Sequence, residues 1–231
     1  MLDAPTSLAY DLVLALTEAL RTPAGGGAAV AAIALFTMGV RVLLLPLSVM
    51  AARGARSRAR LAPQVAELRR RHRDDPEALR RELTALYGGA GVSPVAGCLP
   101  SLAQAPFFFV TYRLFVSTTI AGHQNLLLGH TLLGAPLGQN LMGVLAGGPF
   151  TVPALAFLGL FALLAAVAWV SSRQLARAMS ADAPGGPVLR LMPYGTLAVA
   201  AFAPLAAGVY LLVSTAWTAG ERAVLHRPAP A

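Results

Sequence analysis

The sequence contains no lysine, a single cysteine, and few charges of any kind: charged residues make up 12% of the 231, about half the share usual in a soluble domain. Cys98 has no partner, so an intrachain disulfide is excluded. The histidines (His72, His123, His130 and His226) are too scattered for metal-ligand spacing. No Ser/His/Asp set, glycine-rich phosphate loop or carboxylate pair stands out, and residues 114–172 hold no Asp, Glu, Lys or Arg. An enzyme would have few side chains to work with, so neither catalytic residues nor cofactors are expected. The beginning of the chain carries Asp3 and Asp11 rather than basic residues, unlike an ordinary signal peptide.

What is present is apolar: 56% of residues are hydrophobic and the mean hydropathy is +0.64. The net charge of +8 comes from 18 arginines against 10 acids. The arginines occur in a few blocks between long apolar runs, the pattern of cytoplasmic loops in membrane proteins. No aromatics interleave with them, so bases would find no stacking platform and specific nucleic-acid binding is not expected.

These runs predict an all-α membrane protein with five transmembrane helices and a cytoplasmic helical hairpin between helices 1 and 2. Residues 1–27 form an extracytoplasmic N-terminus. Within it Leu12, Leu16 and Leu20 share one face of an interfacial amphipathic helix, and Arg21 to Gly27 break that helix. The spans are residues 28–50, 98–120, 153–170, 188–203 and 204–219. Residues 188–219 read as two spans because one helix of that length would be about 48 Å long, against a hydrocarbon core of about 30 Å, and Pro204 lies midway. Residues 121–152 form an uncharged extracytoplasmic loop, residues 171–187 a cytoplasmic loop with Arg173 and Arg177, and residues 220–231 a cytoplasmic tail. Placing every basic segment in the cytoplasm requires an outside N-terminus and an inside C-terminus.

Residues 51–90 predict the hairpin. Leu61, Val65 and Leu68 stripe its first helix. Asp74-Asp75-Pro76-Glu77 restarts the second with a cap, a first-turn proline and an acid near the positive end of the helix dipole. Ala78, Leu79, Leu83 and Leu86 form the answering stripe. Arg56, Arg60, Arg69 and Arg73 offer basic contacts to partners.

Arg41 is the sharpest functional signal. It sits 13 residues into residues 28–50, about 20 Å from the start. An arginine at the centre of a lone spanning helix costs about 2.5–3.5 kcal/mol on insertion scales. No acid lies in any predicted span. Water, backbone carbonyls or an external anion must therefore accommodate it. Pro46 leaves the Val42 carbonyl without its helical donor and predicts a local break. Arg113 lies near the outer end of the second span and can snorkel. Gln104, Ser171, Ser172 and Thr215 read as interhelical hydrogen-bonding groups.

The order of motifs resembles the YidC/Oxa/Alb insertases. The resemblance rests on Val40-Arg41-Val42-Leu43-Leu44-Leu45-Pro46-Leu47, the arginine-rich hairpin, Leu86-Tyr87, Gly91-Val92-Ser93-Pro94, Gly97-Cys98-Leu99-Pro100 and Gln104-Ala105-Pro106. Ser93-Pro94 replaces the usual Asn-Pro. Ser171-Ser172 stands about where the family would show a glutamine, and Tyr210 is followed by Leu211 rather than tryptophan. The resemblance implies a non-enzymatic insertase in a bacterial cell membrane. A hydrophilic groove open to the cytoplasm would hold Arg41, with Gln104, Ser171, Ser172 and Thr215 as lining. Nascent membrane proteins would be the clients, with the lipid bilayer, Sec translocon, ribosome and targeting factors as candidate partners. A small transporter or channel is the alternative; it should show inverted repeats, paired broken helices or carboxylates within spans, and the sequence has none of these.

Overall fold

The computed structural model describes residues 3–91, 99–148, 150–178 and 186–225. The chain is mostly helical and divides into two compact units, residues 43–106 and the remainder. In the larger unit, α1 (Asp3–Ala19), a short α2 (Arg21–Ala24) and a 3-10 turn over Gly25–Gly27 lead into α3 (Ala28–Leu43). The Gly-rich break expected after α1 is thus a run of tight helical turns rather than an open loop.

The smaller unit holds α4 (Leu45–Arg71) and α5 (Pro76–Gly89), which contact each other. The Asp75 carboxylate accepts the Ala78 amide at 2.9 Å and caps α5. Leu61, Val65, Leu68, Ala78, Leu79, Leu83 and Leu86 are all partly buried, and no residue of α5 is fully buried. This is the narrow two-stripe packing written in the sequence. The expected boundary between residues 28–50 and 51–90 does not coincide with a helix end. The helix breaks at Leu44, and α4 runs from Leu45 through the arginine block. Pro46 sits in the first turn of α4, where its missing amide costs nothing, and cannot serve the Val42 carbonyl.

The larger unit continues through the C-terminal part of α6 (Leu99–Val116) into residues 119–146, which take in the end of the expected second span and most of the uncharged loop expected over residues 121–152. They form a small folded cap. Two antiparallel hairpins pair Thr119–Ile120 with His123–Gln124 and Thr131–Leu132 with Ala135–Pro136. Their two-residue turns have positive φ throughout: 49° and 83° at Ala121-Gly122, 51° and 78° at Leu133-Gly134. Both are the primed turn that suits strand twist, made here without the usual Asn or Asp. A 3-10 turn over Leu126–Gly129 and the short α7 (Leu141–Ala146) complete the cap. Leu127, Ala135 and Leu137 are fully buried.

One buried side chain ties the cap to α6. Asn125 Nδ2 donates to the Leu114 carbonyl at 2.9 Å and the Ser117 carbonyl at 3.0 Å, while its Oδ1 accepts the Leu127 amide at 3.2 Å. Helix α1 docks onto the same segment. Tyr10 Oη accepts the Leu126 amide at 3.0 Å and donates to the Gln124 carbonyl at 3.4 Å. The packed face of α1 is Thr6, Ala9, Val13 and Thr17, with Leu16 and Leu20 partly covered and Leu8 and Leu12 exposed. The leucine face expected of α1 is therefore split: the protein core claims a rotated stripe, Leu16 and Leu20 are partly covered and Leu12 stays outward.

The rest is α8 (Val152–Ala178), α9 (Gly186–Leu191), a 3-10 turn over Met192–Tyr194, α10 (Gly195–Phe202) and α11 (Leu205–Leu225). α8 does not stop at residue 170. Ser171 to Ala178 lack glycine and proline and stay helical, carrying Arg173 and Arg177 on the helix rather than on a loop. α10 and α11 part at Ala203–Pro204. The first free amides of α11 find partners in the cap: Leu205 donates to the Gln139 carbonyl and Ala206 to the Leu137 carbonyl, both at 2.9 Å. α11 packs closely on α8, where Gly208 leaves room for Leu160; a Cβ there would lie 2.6 Å from Leu160 Cδ2. Phe115, Phe157, Ile33, Leu164 and Leu205 fill the core between α3, α6, α8 and α11. Among the described residues two helical stretches are long and apolar enough to cross a bilayer, Arg21–Leu43 and Val152–Arg177; Val188–Phe202 is a shorter apolar one.

Candidate functional site

Helix α3 turns one face inward: Ala29, Ile33 and Thr37 are buried at four-residue spacing. Thr37 spends its hydroxyl on the Ile33 carbonyl at 2.7 Å. Arg41 is the next position on that face and lies in the last turn of α3. It is partly buried, whereas its neighbours Val42 and Leu43 are exposed. The face that packs the core thus ends in a guanidinium pointed at protein.

Nη2 of Arg41 donates to the hydroxyl of Ser214 on α11. Ser214 is 5% exposed, so the contact lies within the protein. No ion pair engages Arg41 among the described residues. A serine oxygen can orient the guanidinium without cancelling its charge, which leaves the cation able to attract a passing anion.

The other expected lining residues are placed differently. Thr215 turns its hydroxyl back onto its own helix, at 2.7 Å from the Leu211 carbonyl. The neighbouring Ser214, which is not among the expected lining residues, meets Arg41 in place of Thr215; helical register decides which of the two faces α3. Ser171 is buried and Ser172 partly buried on α8, and neither is hydrogen-bonded to Arg41 among the described residues. Gln104 lies on α6, and its side chain is outside the described residues, as are Cys98 and the Ser93-Pro94 and Gly97-Cys98 motifs.

Gln174 is absent from the expected lining. It follows Ser171 by nearly one turn, and its Nε2 donates to the Ala219 carbonyl of α11 at 3.0 Å. Thr218 donates to the Ser214 carbonyl at 2.9 Å, and Trp217 Nε1 to Glu221 at 2.7 Å. The second half of α11 is therefore polar at Ser214, Thr218 and Glu221, positions spaced i, i+4 and i+7. That spacing was the available signal. Glu221 lies beyond the residues taken as the fifth span.

In the smaller unit Arg56, Arg60, Arg69 and Arg73 are all exposed. Glu67 is occupied by Arg70 at 2.5 Å and Arg71 at 3.9 Å. Arg69 and Arg73 have no ion pair among the described residues. Between α4 and α5 lies an open cleft of about 610 Å³ lined by residues including Pro63, Leu68 and Leu86. No cluster of three metal-binding side chains exists among the described residues.

The chain is similar to known proteins. The family described as 60Kd inner membrane protein matches residues 22–230. A protein named membrane protein insertase YidC from Zymomonas mobilis is 30% identical over 182 residues, 77% of this chain and 30% of its own length. One of the same name from Acidiphilium cryptum is 34% identical over 148 residues, 62% of this chain and 24% of its own. Another from Maridesulfovibrio salexigens reaches 40% over 92 residues, 40% of this chain and 17% of its own. The chain thus matches less than a third of the length of these three relatives. The extent of the family match, which takes in Arg41 and Ser214, decides the assignment: the chain belongs to the 60Kd inner membrane protein family.

Proposed function

We propose that this protein inserts hydrophobic segments of nascent proteins into the bacterial plasma membrane, using a hydrophilic groove around Arg41. The observation that carries the reading is the Arg41–Ser214 contact: a partly buried cation in an apolar helix, held by a neutral hydroxyl. The names of the relatives point the same way. The groove opens to the cytoplasm. It receives the polar or acidic outside segment of a client and shortens the apolar barrier that segment must cross, without ATP or a continuous pore. Ser171, Ser172, Gln104 and Thr215 add polar surface to it. Five spans carry the groove, with the N-terminus outside and the C-terminus inside. A channel or transporter should show inverted repeats, paired broken helices or carboxylates within spans, and no acid falls within residues 28–50, 98–120, 153–170 or 188–219.

The arrangement of arginines sets the topology. Reporter fusions after Arg60 and Arg227 read as cytoplasmic, and a fusion inside residues 134–148 reads as external. An external reporter after Arg227 removes the fifth span.

The smaller unit recruits client chains, the ribosome, the Sec translocon or targeting factors through Arg56, Arg60, Arg69 and Arg73. Its helices share only narrow apolar stripes, so it contributes little to the membrane core. The deciding experiment is reconstitution in liposomes with a Sec-independent client. The full chain inserts the client. Deleting residues 56–86 lowers insertion at least severalfold, raised salt lowers recruitment by the full chain, and the remaining helices keep their melting temperature. No insertion by the full chain defeats the insertase reading. A deletion that melts the spans makes the smaller unit structural.

A further inference from the structure

The outward stripe of α8 continues past its apolar part. Leu155, Leu158, Leu163 and Trp169 are exposed at 56%, 66%, 56% and 50%. Arg173 and Arg177 follow Trp169 at four-residue spacing and are exposed on the same side. The Arg173 guanidinium carbon stands 4.0 Å from the centroid of the Trp169 ring. α9, packed against α8, adds the exposed Arg190. None of these three arginines has an ion pair among the described residues, and α8, α9 and α10 carry no acid.

From this arrangement we infer that the arginine end of α8 binds the headgroup of an anionic phospholipid, with Trp169, Arg173, Arg177 and Arg190 as its site. The inference rests on reading α8 as a membrane span. In a bilayer the exposed leucines lie against acyl chains, and an indole at the end of such a stripe settles at headgroup depth. Stacking on the ring fixes the Arg173 guanidinium at that depth by its face. Its N–H edge stays free to grip a phosphate with two parallel hydrogen bonds. Arg177, one turn further, and Arg190 supply the remaining positive charge. A zwitterionic lipid would bring its own cation against these arginines, whereas an anionic headgroup meets three arginines that have no ion pair among the described residues. The site holds the end of α8 in register with the interface.

The protein contains two tryptophans, Trp169 and Trp217, so Trp217→Phe leaves Trp169 as the sole indole reporter. This variant is placed in vesicles of equal phosphatidylcholine and phosphatidylglycerol, with bromine on the acyl chains of one lipid or the other. Brominated phosphatidylglycerol should quench Trp169 with an association constant at least about fivefold above that of brominated phosphatidylcholine, the factor given by about 1 kcal/mol for one interfacial arginine. Adding Arg173→Gln and Arg177→Gln should bring the ratio close to one while both lipids still quench. Equal quenching by the two lipids with the arginines in place overturns the site but leaves the span intact. An unchanged preference in the double glutamine variant also overturns it. If neither lipid quenches, α8 is not in the bilayer, and the span reading falls with the site.

Discussion

Replacing Arg41 by alanine should reduce insertion of clients with acidic outside segments by tenfold or more, while Arg41→Lys should keep most of the activity. The expectation follows from the charge being left uncancelled. Ser214 orients the guanidinium, but a hydroxyl offers no countercharge. A client carboxylate arriving within about 4 Å would gain on the order of 4 kcal/mol at an effective dielectric constant of about 20, and only about 1 kcal/mol in bulk water. The proposed wet groove would lie between these limits, and 1.4 kcal/mol is already tenfold. Lysine restores the charge without the planar fork, so its success would show that attraction matters more than shape. Ser214→Ala should act weakly, because it frees the guanidinium without removing it. The variant chain itself should accumulate normally, since deleting a charge from a span lowers the insertion cost. A client whose acids are neutralised should depend less on Arg41. The measurement is complementation and reconstituted insertion, with acidic and neutralised clients compared at equal protein levels. Full activity of Arg41→Ala on acidic clients would remove the electrostatic role and leave only a need for polarity in the groove.

Arg41 stood out in the sequence because a lone charge in an apolar run is expensive, and the structure gives it a hydroxyl partner rather than a countercharge. The paired stripes of α4 and α5, the Asp75 cap and the break at Pro204 were legible for similar local reasons: each is written in adjacent residues. What could not be read depended on register across distant segments. Ser214 and Thr215 are chemically alike, and only the rotation of α11 against α3 selects Ser214. The rotation of α1 is of the same kind. Its leucine spacing predicts one face, but in the structure Tyr10 meets Gln124 and Leu126 while Val13 and Thr17 turn inward. The extent of α8 was missed by equating a helix with its membrane-spanning part; an uncharged run ends at Ser172, whereas helix geometry ends only where glycine, proline or a cap intervenes.

The cap was the largest surprise. Its turns use Ala121-Gly122 and Leu133-Gly134, which lack the Asn or Asp that normally marks a two-residue hairpin. The strands are two residues each, too short for an alternating pattern. A segment this rich in Gly and Leu looks like a loop until its hydrogen bonds are counted. Pro204 starts α11 with unpaired amides, and the cap supplies carbonyls to two of them.

Asn125→Ala should therefore be among the most destabilising single substitutions in the larger unit. Asn125 is 6% exposed and makes three hydrogen bonds. Removing its amide strips a donor from the Leu114 and Ser117 carbonyls, which end α6, and an acceptor from the Leu127 amide. Each buried group left unsatisfied costs about 1–3 kcal/mol. Water reaches part of this surface, so the three together should cost about 2–4 kcal/mol rather than their full sum. At about 2–4 °C per kcal/mol for a chain of this size, the melting temperature should drop by about 5–15 °C. Tyr10→Phe is the internal comparison. It removes the two bonds between α1 and the cap, but those partners are exposed and can turn to water, so the loss should stay below about 1 kcal/mol. Thermal loss of the helical circular dichroism signal in detergent measures both. The order of the two variants is the discriminating result. If Asn125→Ala melts with the wild-type protein, the α6–cap junction draws its stability from Leu127 and Leu137 packing alone. If Tyr10→Phe proves the more damaging, the docking of α1, rather than the asparagine bridge, holds the cap in place.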